Sequence, residues 1–232
     1  MKEYYRTELH AHSKPASSCS EVEVKQLVEL YKNKGYDSIV LTNHFTPQLK
    51  GETVREKVDR YLEDYYKCTE EGKCCGVNII LGAEIRFVQN NNDYLIYGIL
   101  PEDLVEIYKL LPYGIDNFYK EFKKDNNIII QAHPFRDHME SVNPTSLDGI
   151  EVFNMHPNHN ARIGFAARYA NDNNIIAICG TDFHHVGHEG LCGILTENAL
   201  TDSFDVVRVL KNKKYCMFID EFMMGPMNCI ED

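Results

Sequence analysis

The chain has 232 residues, and its 44% hydrophobic and 25% charged residues are typical of a globular protein with a substantial core. Its 24 Lys and Arg against 35 Asp and Glu give a net charge of −11, which argues against broad electrostatic binding to extended nucleic acid or anionic lipid. No apolar run approaches the roughly 20 residues of a membrane-spanning helix, and the N-terminus lacks the apolar middle of a signal peptide. We therefore predict a cytoplasmic protein with no membrane partner.

The eight cysteines do not indicate a disulfide-stabilised scaffold, since a chain of this length builds a core without cross-links. They contain no Cys-x-x-Cys pair, which argues against a zinc knuckle. Their positions are Cys19, Cys68, Cys74, Cys75, Cys179, Cys192, Cys216 and Cys229. We expect most of them to be reduced thiols.

Strand and helix patterns alternate along the chain. A short first strand leads to His10, and apolar or β-branched runs predict later strands at residues 38–42, 79–85, 94–100, 128–132, 149–153 and 175–179. This alternation indicates βα units around a largely parallel sheet or a barrel, and therefore an α/β fold. Because no linker, low-complexity block or internal repeat interrupts it, we predict a single domain over residues 1–232.

The first predicted helix has the clearest signals. Ser20 and Glu23 form a capping-box pair before it, and Gly35 is a typical C-terminal stop. Its apolar face consists of Val24, Leu27, Val28 and Tyr31. Four later segments have the same helical period, at residues 54–65, 115–122, 166–170 and 204–210.

Side chains that bind metal ions stand at the ends of the predicted strands. His10 and His12 end the first strand two residues apart, so strand alternation points both to one face. Five more end or directly follow later strands: His44, Glu84, His133, Asp182 and His184. The carboxyl ends of strands form the rim on which α/β barrels build their sites. Each residue alone has a structural explanation, such as a surface histidine or a helix cap, but seven in equivalent positions predict a metal centre.

The ligand types indicate which ions the centre holds. Imidazole and carboxylate ligands together suit Zn, Mn or Fe, and a carboxylate such as Glu84 can bridge two ions. The sequence therefore predicts a site for more than one divalent transition-metal ion.

The other histidines have weaker signals. His156 and His159 follow the strand at 149–153, and the sequence is compatible both with a pocket lining and with a solvated loop. We expect at most one of His185 and His188 to face the site, and His138 to lie in a loop near the rim.

The strand-end motifs resemble those of the PHP family, named after polymerase and histidinol phosphatase. They are, in chain order, Glu-Leu-His-Ala-His, Thr-Asn-His, Gly-Ala-Glu, Ala-His-Pro and Gly-Thr-Asp-Phe-His. The resemblance covers nearly the whole chain. It implies a distorted seven-stranded β/α barrel, similar to a TIM barrel, with up to three metal ions at its rim. Family members are phosphoesterases, including histidinol-phosphate phosphatase, or domains of bacterial DNA polymerases.

The resemblance also distributes the ligands among two or three ions. The first ion would be bound by His10, His12, Glu84 and Asp182; the second by Glu84 and His133; the third by His44 and His184. Two expected ligands have no counterpart. Residues 13–19 contain no additional His or Asp, and residues 92–98 contain no His, although Asp93 or a water could replace it there.

The implied reaction is hydrolysis of a small phosphomonoester or nucleotide by a metal-activated water. Glu84, Asp182 and His184 are the candidate catalytic residues, with His184 or His12 assisting the leaving group. No Gly-x-Ser-x-Gly nucleophile motif occurs. Phosphate also needs cationic side chains near the motifs, and Arg136, Lys14 and Arg86 are the candidate substrate-binding residues.

Two alternatives remain open from the sequence. One is a metal-dependent hydrolase of C–N or C–O bonds, because related barrels use similar ligands. The other is a non-catalytic PHP module in which metal holds the fold or the domain serves a partner. The acidic net charge does not exclude a small phosphorylated substrate, since each divalent ion would add two positive charges locally.

Overall fold

A computed structural model describes residues 3–220 and 222–225. The strands are β1 (Tyr5–Ala11), β2 (Ser38–Leu41), β3 (His44–Phe45), β4 (Asn78–Leu81), β5 (Ala83–Arg86), β6 (Asp93–Tyr97), β7 (Ile128–Gln131), β8 (Gly149–Asn154), β9 (Ile176–Gly180), β10 (Cys192–Thr196), β11 (Cys216–Ile219) and β12 (Phe222–Met224). The helices are α1 (Val24–Asn33), α2 (Val54–Cys75), α3 (Asp103–Leu110), α4 (Gly114–Phe122), α5 (Ile163–Asp172) and α6 (Ser203–Lys211). Cys229 lies outside the described residues.

The described strands form two six-stranded sheets. Their orders are β12-β11-β10-β1-β2-β4 and β3-β5-β6-β7-β8-β9. Pairing is parallel from β1 through β2 to β4 and from β7 through β8 to β9, whereas β10 to β12 and β6 add antiparallel neighbours. The predicted α/β class is confirmed, but the sheets are mixed rather than largely parallel. The seven-stranded barrel stays a prediction.

The two sheets meet at Gly82, in the middle of the run predicted as one strand at 79–85. The Gly82 N–H donates to Leu41 O at 3.1 Å, so the chain up to this point follows β2. Two residues later Glu84 N–H donates to Asn43 O at 3.2 Å, and β5 continues beside β3. A Cβ at Gly82 would lie 2.8 Å from Val40 Cγ1, so only glycine fits where the chain changes sheets.

The helix α1 buries the face predicted for it, but its N-terminus differs from the prediction. Its N-cap is Glu23, with no side-chain capping bond. The Ser20 hydroxyl instead donates to His12 O at 3.3 Å, which ties the loop before α1 to the end of β1. A capping box does occur at α2, where Thr53 and Glu56 each bond the other's backbone N–H.

A buried carboxylate joins β1 to the end of β9. Glu8 is fully buried in β1, and burial raises the pKa of its carboxyl group. Its oxygens accept hydrogen bonds from the backbone N–H of Leu9 and His10, from the N–H and hydroxyl of Thr181, and from the Tyr31 hydroxyl at 2.9 Å. A buried carboxylate is tolerated when its lone pairs are filled in this way. This network sets the relative position of two strand ends that carry predicted ligands.

Neither a helix that could span a membrane nor a disulfide occurs among the described residues. Within 3–220 and 222–225, no helix is both long and apolar enough to cross a bilayer. The seven cysteines described there are all free thiols.

Candidate metal centre

Glu84 lies at the centre of four histidines that three different segments contribute. Its Oε1 lies 3.1 Å from His133 Nε2 and 3.3 Å from His10 Nε2. Its Oε2 lies 2.8 Å from His44 Nδ1 and 3.4 Å from His12 Nε2. The parallel pairing of β3 with β5 sets His44 and Glu84 in register. One carboxylate with two imidazoles at each oxygen is the arrangement expected of a bridging metal ligand.

Asp182 faces the same histidines from the end of β9. Its Oδ1 lies 3.4 Å from His12 Nε2, 3.5 Å from His10 Nε2 and 3.4 Å from His184 Nδ1. Its Oδ2 accepts a hydrogen bond from Asn154 Nδ2 at 3.2 Å. The structure thus brings all seven predicted ligands into one cluster, and every one except His44 is buried.

Two of these residues have backbone conformations that non-glycine residues rarely adopt. His133 has a φ of 32° and Asp182 a φ of 52°, each directly after or close to the end of a strand. Left-handed backbone of this kind costs on the order of 1–3 kcal/mol and is found where function requires a fixed side-chain direction. In this conformation the His133 imidazole reaches Glu84, and the Asp182 carboxylate reaches His10 and His12.

The donor atoms fall into three groups, each with its ligand atoms within 4.8 Å of one another: His12, His44 and His184; His10, His12 and Asp182; and His44, Glu84 and Asp93. Three buried atoms of the cluster, His10 Nε2, His12 Nε2 and Glu84 Oε2, form no well-aligned hydrogen bond, although each lies within 3.4 Å of a carboxylate oxygen or an imidazole nitrogen. Buried polar atoms are normally paired, so converging unpaired nitrogen and oxygen atoms fit a bound cation. The residues present therefore fit the implied metal ions.

The charges of the cluster also suit cations. Burial would raise the pKa of Glu84, but the charges of His44 and His10 lower it well below its ordinary value. Burial has the same effect on Asp182, whose pKa is likewise lowered by His10 and by a hydrogen bond with His12. Burial and neighbouring histidine charges lower the pKa of His12 itself. The ionised carboxylates and the neutral His12 are in the protonation states that metal binding requires. At His10 and His44 burial would lower the pKa, but the neighbouring carboxylates outweigh burial and raise the pKa, so a bound ion would displace a proton from each imidazole.

Glu151 supports the cluster from β8, a role that the sequence analysis did not identify. Its Oε1 lies 2.9 Å from His10 Nδ1, and its Oε2 accepts hydrogen bonds from His133 N–H at 3.0 Å and Asn154 Nδ2 at 2.9 Å. A carboxylate on the second nitrogen of a ligating histidine orients the ring and raises its basicity. The only signal in the sequence was a charged residue inside a strand predicted to be apolar.

The cluster opens onto a cavity of about 330 Å³. Its lining residues are Cys19, His44, Arg86, His133, Arg136, His156, Asn158, His159, Asp182, His184 and His185. His156 and His159 thus line the pocket, and so does His185, whereas His188 and His138 are not among its lining residues. The pocket lining was one of the two alternatives for His156 and His159, and at most one site-facing residue was expected of His185 and His188.

The predicted substrate-binding residues differ in whether they line the cavity. Arg136 lines the cavity, with its Nη1 3.4 Å from Asp182 Oδ2. Lys14 is not among the lining residues and lies 3.5 Å from Glu23, with 40% of its side chain exposed.

Arg86 lines the cavity but is already paired. Its Nε and Nη2 donate to the two Asp93 oxygens at 2.7 and 2.6 Å. Asp93 in turn lies 3.8 Å from His133 Nε2, and it belongs to the segment 92–98 in which the resemblance implies a histidine. The structure therefore places a buried carboxylate, neutralised by Arg86, in that segment.

Cys19 is a second residue that the sequence analysis did not place in the site. Its Sγ lies 3.1 Å from His184 Nε2, while His184 Nδ1 lies 2.7 Å from Asp182 O. Burial would raise the pKa of the thiol, but hydrogen bonds with His184 and His44 lower it to about 6.

The fold and motifs are similar to those of known proteins. Residues 8–220 match the PHP domain family. A two-domain protein from Bacteroides vulgatus that contains a predicted PHP-like metal-dependent phosphoesterase is 18% identical, with a TM-score of 0.68 and coverage of 97% of this chain and 68% of that chain. PsfC from Pseudomonas syringae is 15% identical, with a TM-score of 0.62 and coverage of 89% and 88%.

A third similar structure is an amidohydrolase from Chromobacterium violaceum with bound sulfate and no metal. It is 13% identical, with a TM-score of 0.51 and coverage of 79% of this chain and 89% of that chain. No curated protein matches the chain. The family match spans residues 8–220 and includes every ligand motif of the buried cluster, so the chain belongs to the PHP domain family.

Proposed function

We propose that this protein is a metal-dependent phosphoesterase that hydrolyses a small phosphorylated substrate, such as a phosphomonoester or a nucleotide. The observation that carries the proposal is Glu84, a fully buried carboxylate with two imidazoles at each oxygen, beside a cavity that contains arginine. Buried nitrogen and oxygen atoms without well-aligned hydrogen bonds do not stabilise a fold, so their convergence here indicates a function rather than a structural role.

The chain offers ligands for two or three divalent ions. His10, His12, Glu84 and Asp182 would hold the first ion, and Glu84 with His133 and Asp93 the second. Nitrogen and carboxylate donors in this mixture suit Zn, Mn or Fe. When bound, such cations neutralise phosphate charge and acidify water toward neutral pH.

The residues around the cavity offer contacts for the substrate in addition to the ions. Arg136 reaches the cavity beside Asp182, where its guanidinium can bind a phosphate oxygen. His184 is held by Asp182 O through Nδ1, which orients the imidazole at the cavity wall. The cavity volume of about 330 Å³ suits a small molecule better than a polymer.

The test combines metal analysis with turnover. Protein purified without added metal should contain at least two transition-metal equivalents and release phosphate from a panel of phosphomonoesters. Asp182→Ala should lose both metal and activity, because it removes a ligand. Asp172→Ala, an exposed change on α5, is the matched control and should keep both. A fully active protein without metal would refute the proposal.

A hydrolase of C–N or C–O bonds is the second candidate. The fold similarity to a protein described as an amidohydrolase favours it, although at 13% identity the likeness concerns the fold alone. Turnover of an amide and lactone panel, with no phosphate release, would select this candidate. Metal-loaded protein inactive on both panels would instead select a non-catalytic metal-binding module.

A further inference from the structure

The resemblance to the PHP family gives the third ion only two ligands, His44 and His184, on their side of the cluster. The stretch from Ser13 to Cys19 lacks the histidine or aspartate expected there. The structure, however, places the Cys19 sulfur at this side, 3.1 Å from His184 Nε2 and at the wall of the same cavity as His44.

The facing atoms of Cys19 and His184 lie close to the separation of two ligands to one ion. His184 Nδ1 is held by Asp182 O at 2.7 Å, so Nε2 is the nitrogen left for a metal. Zinc binds sulfur at about 2.3 Å and imidazole nitrogen at about 2.0–2.1 Å, so both on one tetrahedral ion lie about 3.6 Å apart. The observed distance of 3.1 Å is that of a hydrogen bond. The sulfur and the nitrogen would need to separate by about half an ångström for an ion to take the place of the proton.

A second observation points to a cation at this position. His12 is fully buried, and its Nε2 has no hydrogen-bond partner. His12 also belongs to the group in which His12, His44 and His184 each bring one ligand atom within 4.8 Å of the others. The neighbouring imidazoles of His44 and His184 give His12 Nε2 no hydrogen bond, so a cation between these rings satisfies the nitrogen best.

The loop that carries Cys19 is anchored to the ligands on both sides. The Ser17 hydroxyl lies 3.1 Å from His12 Nδ1 and accepts a hydrogen bond from His44 N–H at 2.9 Å. The Ser20 hydroxyl, which faces His12 O, lies 3.4 Å from His184 O as well. The position of Cys19 between these anchors is therefore a fixed feature of the site and not that of a free loop.

We propose that Cys19 is a thiolate ligand of an ion that His44 and His184 also bind, an inference that rests on the metal centre of the proposed function. The thiol loses its proton to solvent as the sulfur–metal bond forms. A thiolate makes this position softer than the positions around Glu84, so it favours Zn over Mn. It also makes this position sensitive to oxidants, since a sulfenic acid would no longer bind the ion as a thiolate does.

Cobalt(II) is the probe for the test, because a cobalt–thiolate bond gives an intense sulfur-to-metal charge-transfer band in the near ultraviolet. Wild-type protein loaded with cobalt should show this band. Cys19→Ser should lose the band and bind one ion fewer. Cys19→Asp should lose the band but keep the ion, because a carboxylate can replace the thiolate. Cys74→Ser, a change at an exposed thiol on α2, is the matched control and should keep the band.

Alkylation of the wild-type protein gives a measurement that needs no variant. Peptide mass spectrometry should find Cys19 protected from iodoacetamide by zinc, with Cys74 modified equally with and without the metal. A band that persists in Cys19→Ser, a cobalt-loaded wild type without the band, or unprotected Cys19 would overturn the proposal. None of these readouts depends on turnover, so an inactive protein with the band would refute the phosphoesterase and not the ligand.

Discussion

The imidazole of His10 is held by Glu151, whose Oε1 lies 2.9 Å from His10 Nδ1. The two residues lie 141 positions apart in the sequence and both are buried. Because the other nitrogen of His10 faces Glu84 and Asp182, the contact directs that nitrogen toward the metal cluster. It also favours the tautomer with the proton on Nδ1 and the lone pair on Nε2.

Glu151→Gln should therefore weaken metal binding without removing a ligand. We expect roughly a 10- to 100-fold loss of affinity, the usual effect of changing a partner of a ligating histidine. Competition with a chromophoric chelator measures it. Glu63→Gln, an exposed change on α2, is the control and should bind metal as the wild type does. Equal affinities for Glu151→Gln and the wild type would show that Glu151 only holds the backbone of His133.

Arg136→Ala should lower kcat/KM for a good phosphomonoester roughly 10- to 100-fold, the effect of losing one hydrogen bond between charged groups. Metal content should not change, because Arg136 contacts Asp182 only at 3.4 Å and binds no ion. Arg168→Ala on the exposed face of α5 is the control. An Arg136→Ala protein with unchanged kcat/KM would remove this residue from the phosphate site.

Metal ions should stabilise the fold, because they bind only where the strand ends meet. Zinc in 1,000-fold excess over its dissociation constant should add about 4 kcal/mol to the free energy of unfolding, provided the unfolded chain does not bind it. The midpoint of thermal unfolding, measured with chelator and with zinc, records this change. In Asp182→Ala the zinc-dependent shift should shrink. If chelator and zinc gave the same midpoint in the wild type, the cluster would not hold an ion.

Glu8→Ala should destabilise the protein even in the presence of chelator. The change leaves donors from Thr181, His10 and Tyr31 buried without an acceptor, which should cost roughly 3 kcal/mol or more. Urea unfolding measures the loss, and Glu29→Ala on the exposed face of α1 should have little effect. A loss within about 0.5 kcal/mol would mean that water replaces the carboxylate without cost.

The sequence predicted the fold class well because strands and helices have local signatures. The buried face of α1 and the alternation of elements follow from the spacing of apolar residues. Strand direction and pairing do not have such a signature, so the antiparallel neighbours β6 and β10 were not foreseen. The interruption at Gly82 and the missing capping bond at Ser20 likewise depend on which distant segment lies alongside.

The sequence by itself determined the ligand types and their places at strand ends, because each motif is local and the ends of neighbouring strands meet at one edge. Only the tertiary structure decided which residues support or complete the cluster. Glu151 and Cys19 lie 141 and 165 residues from the histidines that they contact, and no spacing in the sequence records that approach. Contacts between distant segments depend on how the sheets pack, which is a property of the whole fold.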